Sequence, residues 1–172
     1  VKVFAGMSPM KFFKGVLPAA VFAFTSTSSV ASLPVSKECC DEMGVESDIS
    51  SFVLPLGATI NMDGTAIYQC VAAIFLAKCI GLDLSFAQMV TIVVTATLAS
   101  IGTAGTSGAG MIMLAMVLEA VGIPTTYIGI IYGIDRLFDM GRTALNVVGD
   151  ASCAVCVNHW EAKGAKTAKA AK

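Results

Sequence analysis

Between Leu84 and Leu118 the chain runs for 35 residues without a single Asp, Glu, Lys or Arg, and from Ile49 to Ala77 the only charge is Asp63. Uncharged apolar stretches of about 18 residues or more mark helices embedded in lipid, because a helix satisfies its own backbone where no water is available. The whole chain is 13% charged, against roughly 25% for soluble domains, and its mean hydropathy is +0.79. A soluble single-domain enzyme is excluded. An all-α membrane protein is expected.

The apolar stretches are interrupted in a pattern. A first apolar arm ends in the hydroxyl cluster Thr25-Ser26-Thr27-Ser28-Ser29, and a second arm starts at Ser32-Leu33-Pro34. Neither arm is long enough to cross a hydrocarbon core of about 30 Å, so 15–48 reads as a re-entrant helical hairpin. Residues 52–82 are long enough for a span but are broken by Asn61-Met62-Asp63-Gly64-Thr65, which predicts a helix unwound to expose carbonyl oxygens. Residues 86–121 form a second short-arm hairpin around the glycine-rich tip 102–110; the Lys-Ser/Thr that would make such a run a phosphate loop is absent. The last span, 125–157, carries Asp135, Asp139, Arg142, Asn146 and Asp150 at steps of 4, 3, 4 and 4 residues. At 100° per residue these five occupy roughly 80° of one helix face. Three acids and an Arg at membrane depth exceed what helix association requires and point to a functional site. The order hairpin, broken helix, hairpin, polar-faced helix suggests two halves arranged as an inverted repeat.

Other features narrow the reading. Lys163, Lys166, Lys169 and Lys172 make 159–172 a basic tail, expected on the cytoplasmic side. Spaced lysines without interleaved aromatics do not read as a nucleic-acid surface. Cys153-x-x-Cys156 lacks a second pair, and His159 stands alone, so metal or redox chemistry is not expected. Gly149-Asp150 raises an intramembrane aspartyl protease, but Val147 breaks the Gly-x-Gly-Asp signature. A passive channel is a third class. The chain begins at Val1 and reads as a piece of a larger protein.

Four blocks occur in order: Ser28-Ser29 with Leu33-Pro34; Pro55-Leu56-Gly57-Ala58-Thr59-Ile60-Asn61-Met62-Asp63-Gly64-Thr65; Ser100-Ile101-Gly102-Thr103-Ala104-Gly105; and Asp139-Met140-Gly141-Arg142-Thr143 with Asn146 and Gly149-Asp150. Together they resemble the dicarboxylate/amino acid:cation symporter family of sodium-coupled glutamate and aspartate transporters. The resemblance covers 1–158 and corresponds to the C-terminal part of that family's transport domain. It implies a plasma or inner membrane location, a lipid bilayer as surroundings, and a homotrimer assembled through a scaffold region lying outside this sequence. No cofactor is implied beyond sodium as coupling ion, and no enzymatic activity.

Carried onto this sequence, the resemblance implies a substrate cage. Asp139 would take the ammonium and Arg142 the side-chain carboxylate, its planar fork suiting a bidentate anion. Thr143 and Asn146 would bind the main carboxylate region with Thr65 nearby, and backbone at Ser28, Ser29, Gly105 and Thr106 would close the cage. One sodium site would use Asp150 with carbonyls of Gly57, Asn61 and Asn146. A second would use Thr59 and Met62 with carbonyls of Ser100, Ile101 and Thr103. A third would use Asp63 and Asn61. Oxygen ligands suit a hard cation but do not separate sodium from proton coupling.

Three departures from the family pattern stand out. Thr106-Ser107 stands where most relatives have an apolar residue and Pro; Thr27 and Met140 occupy places where an Arg is common, with Arg136 nearby; and Val30 ends the serine run. The function expected is uptake of glutamate or aspartate with sodium by alternating access, with 86–121 gating the outside. A C4-dicarboxylate or a neutral amino acid, and proton coupling, are the alternatives within the family.

Overall fold

The computed structural model describes residues 1–103 and 105–170, with side chains through 164. The tail lysines Lys166, Lys169 and Lys172 therefore lie outside the described side chains. The regular elements among the described residues are all helices, without strands: α1 (Lys2–Ala5), α2 (Pro9–Ser26), α3 (Leu33–Glu42), α4 (Ser47–Ile60), α5 (Asp63–Cys79), α6 (Phe86–Ile101), α7 (Ala109–Glu119), α8 (Gly129–Tyr132) and α9 (Asp135–Ala170).

Two helix–turn–helix pairs, α2–α3 and α6–α7, pack on themselves, and the first arm is longer than 15–48 implied, since α2 already starts at Pro9. Thr27 takes a left-handed conformation (φ 54°) to end α2, and Gly108 (φ 81°) starts α7 from the same region. The capping box of Ser85 and Gln88 opens α6. The sequence-predicted span over 125–157 differs from what is seen. Residues 125–128 form a 3₁₀ turn, α8 follows, and the continuous helix starts only at Asp135 and runs to Ala170. Pro124 and the glycines at 129 and 133 account for the broken start, while Ala and Lys continue the helix past 157.

Two apolar clusters hold the molecule together. One joins α2, α3, α4 and the later part of α9, where Ala19, Ala23, Ala151 and Ala154 are fully buried and let α2 and α9 approach closely. The other joins α5, α6 and α7 around Leu76, Ile92, Leu114 and Leu118. The polar residues do the reverse of what a soluble fold does: Gln69, Asp135, Asp139, Arg142 and Asp150 are buried, while Phe86 (79% exposed), Leu98 and Ile112 face outward. Such an inversion belongs in an apolar solvent. Together α4 and α5, interrupted at Asn61-Met62, make a segment of 33 residues, Ser47–Cys79, that is long and apolar enough to cross a bilayer.

Candidate functional site: buried charges between two helix tips

The site is organised by one face of α9. Arg142 Nε donates to Asp139 Oδ1 at 3.1 Å, and Nη1 donates to Asp135 Oδ1 at 3.2 Å. Nη2 lies 3.0 Å from Asp139 Oδ1, yet no acceptor lies along its N–H bonds, so that contact is electrostatic rather than directional. The guanidinium sits over the Tyr68 ring at 4.5 Å, and Tyr68 donates its hydroxyl to Asp135 at 2.7 Å. All four residues are less than a tenth exposed. Gly110 makes this possible, because a Cβ there would fall 2.8 Å from Arg142 Cζ.

Two chain breaks are capped from α9. At Asn61-Met62 the backbone leaves helical geometry, and the freed amide of Gly64 donates to Asn146 Oδ1 at 2.8 Å. Asn146 Nδ2 then faces Met62 Sδ and Thr65 Oγ1. At the second tip the amide of Gly108, which precedes α7, donates to Asp139 Oδ2 at 3.1 Å. Orphan amides at helix starts are thus satisfied by side chains of another helix, which fixes both starts against α9.

The tips also meet each other. Ser28 Oγ donates to the Gly105 carbonyl at 2.9 Å, and the Val30 amide donates to the same oxygen at 3.3 Å. Around this meeting point Ser29, Thr65, Gly105, Thr106, Asp139, Arg142, Thr143 and Asn146, all assigned to the substrate cage, line one small space of 10 Å³. That is about one water-sized sphere. Ser28 does not line it. Thr27 and Gly110, which were not assigned, do, as do Met62 and Thr103, which were assigned to sodium. The Thr143 hydroxyl is turned back onto the Asp139 carbonyl at 2.7 Å.

Of the groups expected around sodium, Met62, Thr103 and Asn146 line the small space, and the others lie in two further places. Asn61 Nδ2 donates to Asp150 Oδ1 at 2.8 Å, and a Cβ on Gly57 would overlap that same oxygen. A Cβ on Gly149 would fall 2.8 Å from Asn61 Nδ2 and 3.1 Å from Asp63 Oδ2, so Asp150, Asn61, Asp63 and the Gly57 backbone share one locality. Helix α4, which carries Thr59, touches α6, which carries Ser100 and Ile101. Thr59 is exposed and donates to the Leu56 carbonyl, and the Ser100 carbonyl accepts from the Gly102-Thr103 turn at Thr103 N, 3.1 Å. Among the described residues no group of three His, Cys, Asp or Glu side chains gathers as for a transition metal, and all six cysteines are free.

Reading the sequence missed Tyr68, Gly110 and the engagement of Asp135. Tyr68 follows Thr65 by three residues and so shares its helix face; that spacing was the available signal.

Broken helices, a site of buried charges between two tips, and apolar side chains turned outward define a helical membrane protein with an internal polar site. The model of the sodium:dicarboxylate symporter family matches residues 1–160, and the chain belongs to that family. Similar proteins include an excitatory amino acid transporter of Caenorhabditis elegans, 47% identical over 89% of this chain and 31% of its own length. Human excitatory amino acid transporter 2 is 46% identical over 88% of this chain and 27% of its own length. Human neutral amino acid transporter A is 43% identical over 95% of this chain and 31% of its own length. The chain spans about three tenths of the length of these curated relatives.

Proposed function

We propose that this chain is the C-terminal part of the transport domain of a symporter that takes up an acidic amino acid, glutamate or aspartate, with sodium. The observation that carries the reading is the pairing of Arg142 with Asp139 beside the small polar space. Arg142 offers a buried Nη2 with no hydrogen-bond acceptor to an incoming carboxylate, and Asp139 offers a carboxylate to an ammonium. Family membership and the relatives named as excitatory amino acid transporters support it.

In this reading α2–α3 and α6–α7 are re-entrant hairpins. At about 1.5 Å per residue, the 16 residues of α6 and 11 of α7 reach roughly 24 and 17 Å, short of a hydrocarbon core of about 30 Å. The two halves form an inverted repeat, the cage is built as assigned above, and sodium is held at Asp150 with Gly57, Asn61 and Asn146, at Thr59 and Met62 with the end of α6, and at Asp63 with Asn61. Sodium and substrate each favour the closed, moving state, which is what couples them. The complete protein is a homotrimer in the plasma or inner membrane, with the C-terminus cytoplasmic.

A neutral substrate is the second reading. Arg142 is already neutralised by Asp135 and Asp139, and one relative is named for neutral amino acids. The test is binding of labelled aspartate, glutamate, succinate and alanine to the full-length protein with and without sodium. The proposal expects aspartate or glutamate to bind only in sodium, and succinate, which has no amine for Asp139, to bind far less. Preferred binding of alanine establishes the neutral reading, and sodium-independent binding overturns the coupling.

A further inference from the structure

Ser107 stands at a junction that neither the substrate cage nor the sodium sites account for. Its Oγ receives Arg136 Nη1 at 2.7 Å and gives its proton to Asp139 Oδ2 at 3.2 Å, and Thr27 Oγ1 of the first tip stands 3.0 Å away. One hydroxyl thus joins the second tip, the first tip and the start of α9. A proline at this position would have no such group.

The junction also divides two spaces. On the inner side is the 10 Å³ space lined by Arg142, Asn146 and Thr65. On the outer side Ser107, Asp135, Arg136, Tyr132 and Met111 line an open cleft of 420 Å³. Asp139 lines both. The wall between them is the second tip, tied to α9 by the Ser107 hydroxyl and the Gly108 amide on Asp139 Oδ2 and by Arg136 on Ser107 Oγ.

We propose that Ser107 is a latch, with Arg136 as its positioning residue, that holds the second tip shut across Asp139 and separates the outer cleft from the inner site. The inference rests on reading 86–121 as the gating hairpin. Arg136 acts through Ser107: the guanidinium fills the lone pair of Oγ and turns its proton toward Asp139. Both the Ser107 hydroxyl and the Gly108 amide occupy Asp139 Oδ2, the oxygen a substrate ammonium would need. Entry from the cleft therefore exchanges the latch for the substrate on one carboxylate oxygen.

The test measures opening without substrate. Thr103, buried on the inner side, is replaced by Cys in the full-length protein. Its modification by 2-aminoethyl methanethiosulfonate in sodium buffer is followed by mass spectrometry at that residue. Ser107→Ala raises the rate roughly tenfold, the worth of one hydrogen bond to a charged acceptor. Arg136→Gln raises it in the same direction, the double variant goes no further than Ser107→Ala because the two act as one unit, and Ser107→Thr keeps the parent rate. An unchanged rate in Ser107→Ala, or effects of the two substitutions that add, overturns the latch. Sodium-dependent aspartate binding by the unsubstituted protein is read separately: its failure overturns the transporter reading while the modification rates still decide the latch.

Discussion

Replacing Gly57 by Ala sets two effects against each other at the proposed sodium locality. In the interior of α4, Ala is the better helix former by roughly 1 kcal/mol. The added Cβ, however, overlaps Asp150 Oδ1 and falls 2.8 Å from its Cγ and 3.3 Å from its Cβ. Carbon atoms are comfortable at about 3.5–4.0 Å, so α4 must retreat from α9 by around 1 Å or the carboxylate must swing away. The carboxylate is tied to Asn61 Nδ2, and Leu54, Val147 and Ala151 are buried on either side. Overpacking of this kind costs about 1–3 kcal/mol, so after the propensity gain the fold loses only about 0–2 kcal/mol and persists. A cation site is less tolerant, because its ligand distances hold within about 0.2 Å. The sodium concentration giving half-maximal aspartate binding should therefore rise at least tenfold, about 1.4 kcal/mol. At saturating sodium, aspartate affinity should stay within roughly threefold of the parent, because only the sodium step has been weakened. The assay is aspartate binding to the full-length protein across a sodium series. A half-saturating sodium concentration equal to the parent's would refute the reasoning that places the ion between Gly57 and Asp150.

Three further outcomes are expected. Arg142→Cys leaves Asp135 and Asp139 buried without their cation, a loss of about 3–5 kcal/mol; acidic substrates should bind at least 100-fold more weakly, neutral ones comparatively better, and Asp135→Asn in the same protein should restore folded yield in detergent. Leu114→Ala empties a fully buried position between α5, α6 and α7 and should lower stability by about 2–5 kcal/mol, read as a fall in apparent Tm with aspartate selectivity unchanged. Gly164→Ala, in an exposed part of α9 with open space around it, should strengthen the helix by roughly 1 kcal/mol, read as slower amide exchange between 160 and 168.

Much of this site was legible along the chain because it is written in local periods. Asp135, Asp139, Arg142, Asn146 and Asp150 fall on one face of any α-helix, and Asn61-Met62 interrupts an apolar run at the point where α4 ends and α5 begins. The helical arms 86–101 and 109–119 follow from apolar runs around a glycine tip. The start of α9 was less legible, since Thr125–Tyr132 is apolar enough to pass for helix; the glycines at 129 and 133 prevent one continuous rod.

By itself, then, the sequence determined that the chain is helical, lives in an apolar solvent, and, Asp63 apart, gathers the charges of its site on one helix face. Only the tertiary structure decided what those charges do to one another. It placed Tyr68 under Arg142, set Asn146 and Asp139 as caps on α5 and α7, and joined the tips through Ser28, Gly105 and Ser107. The physical reason is range. A helical period repeats every 3.6 residues and is visible in any short window, whereas the contacts that shape the site join residues some 30 to 90 positions apart, set by how close the glycines at 57, 64 and 110 let the backbones come.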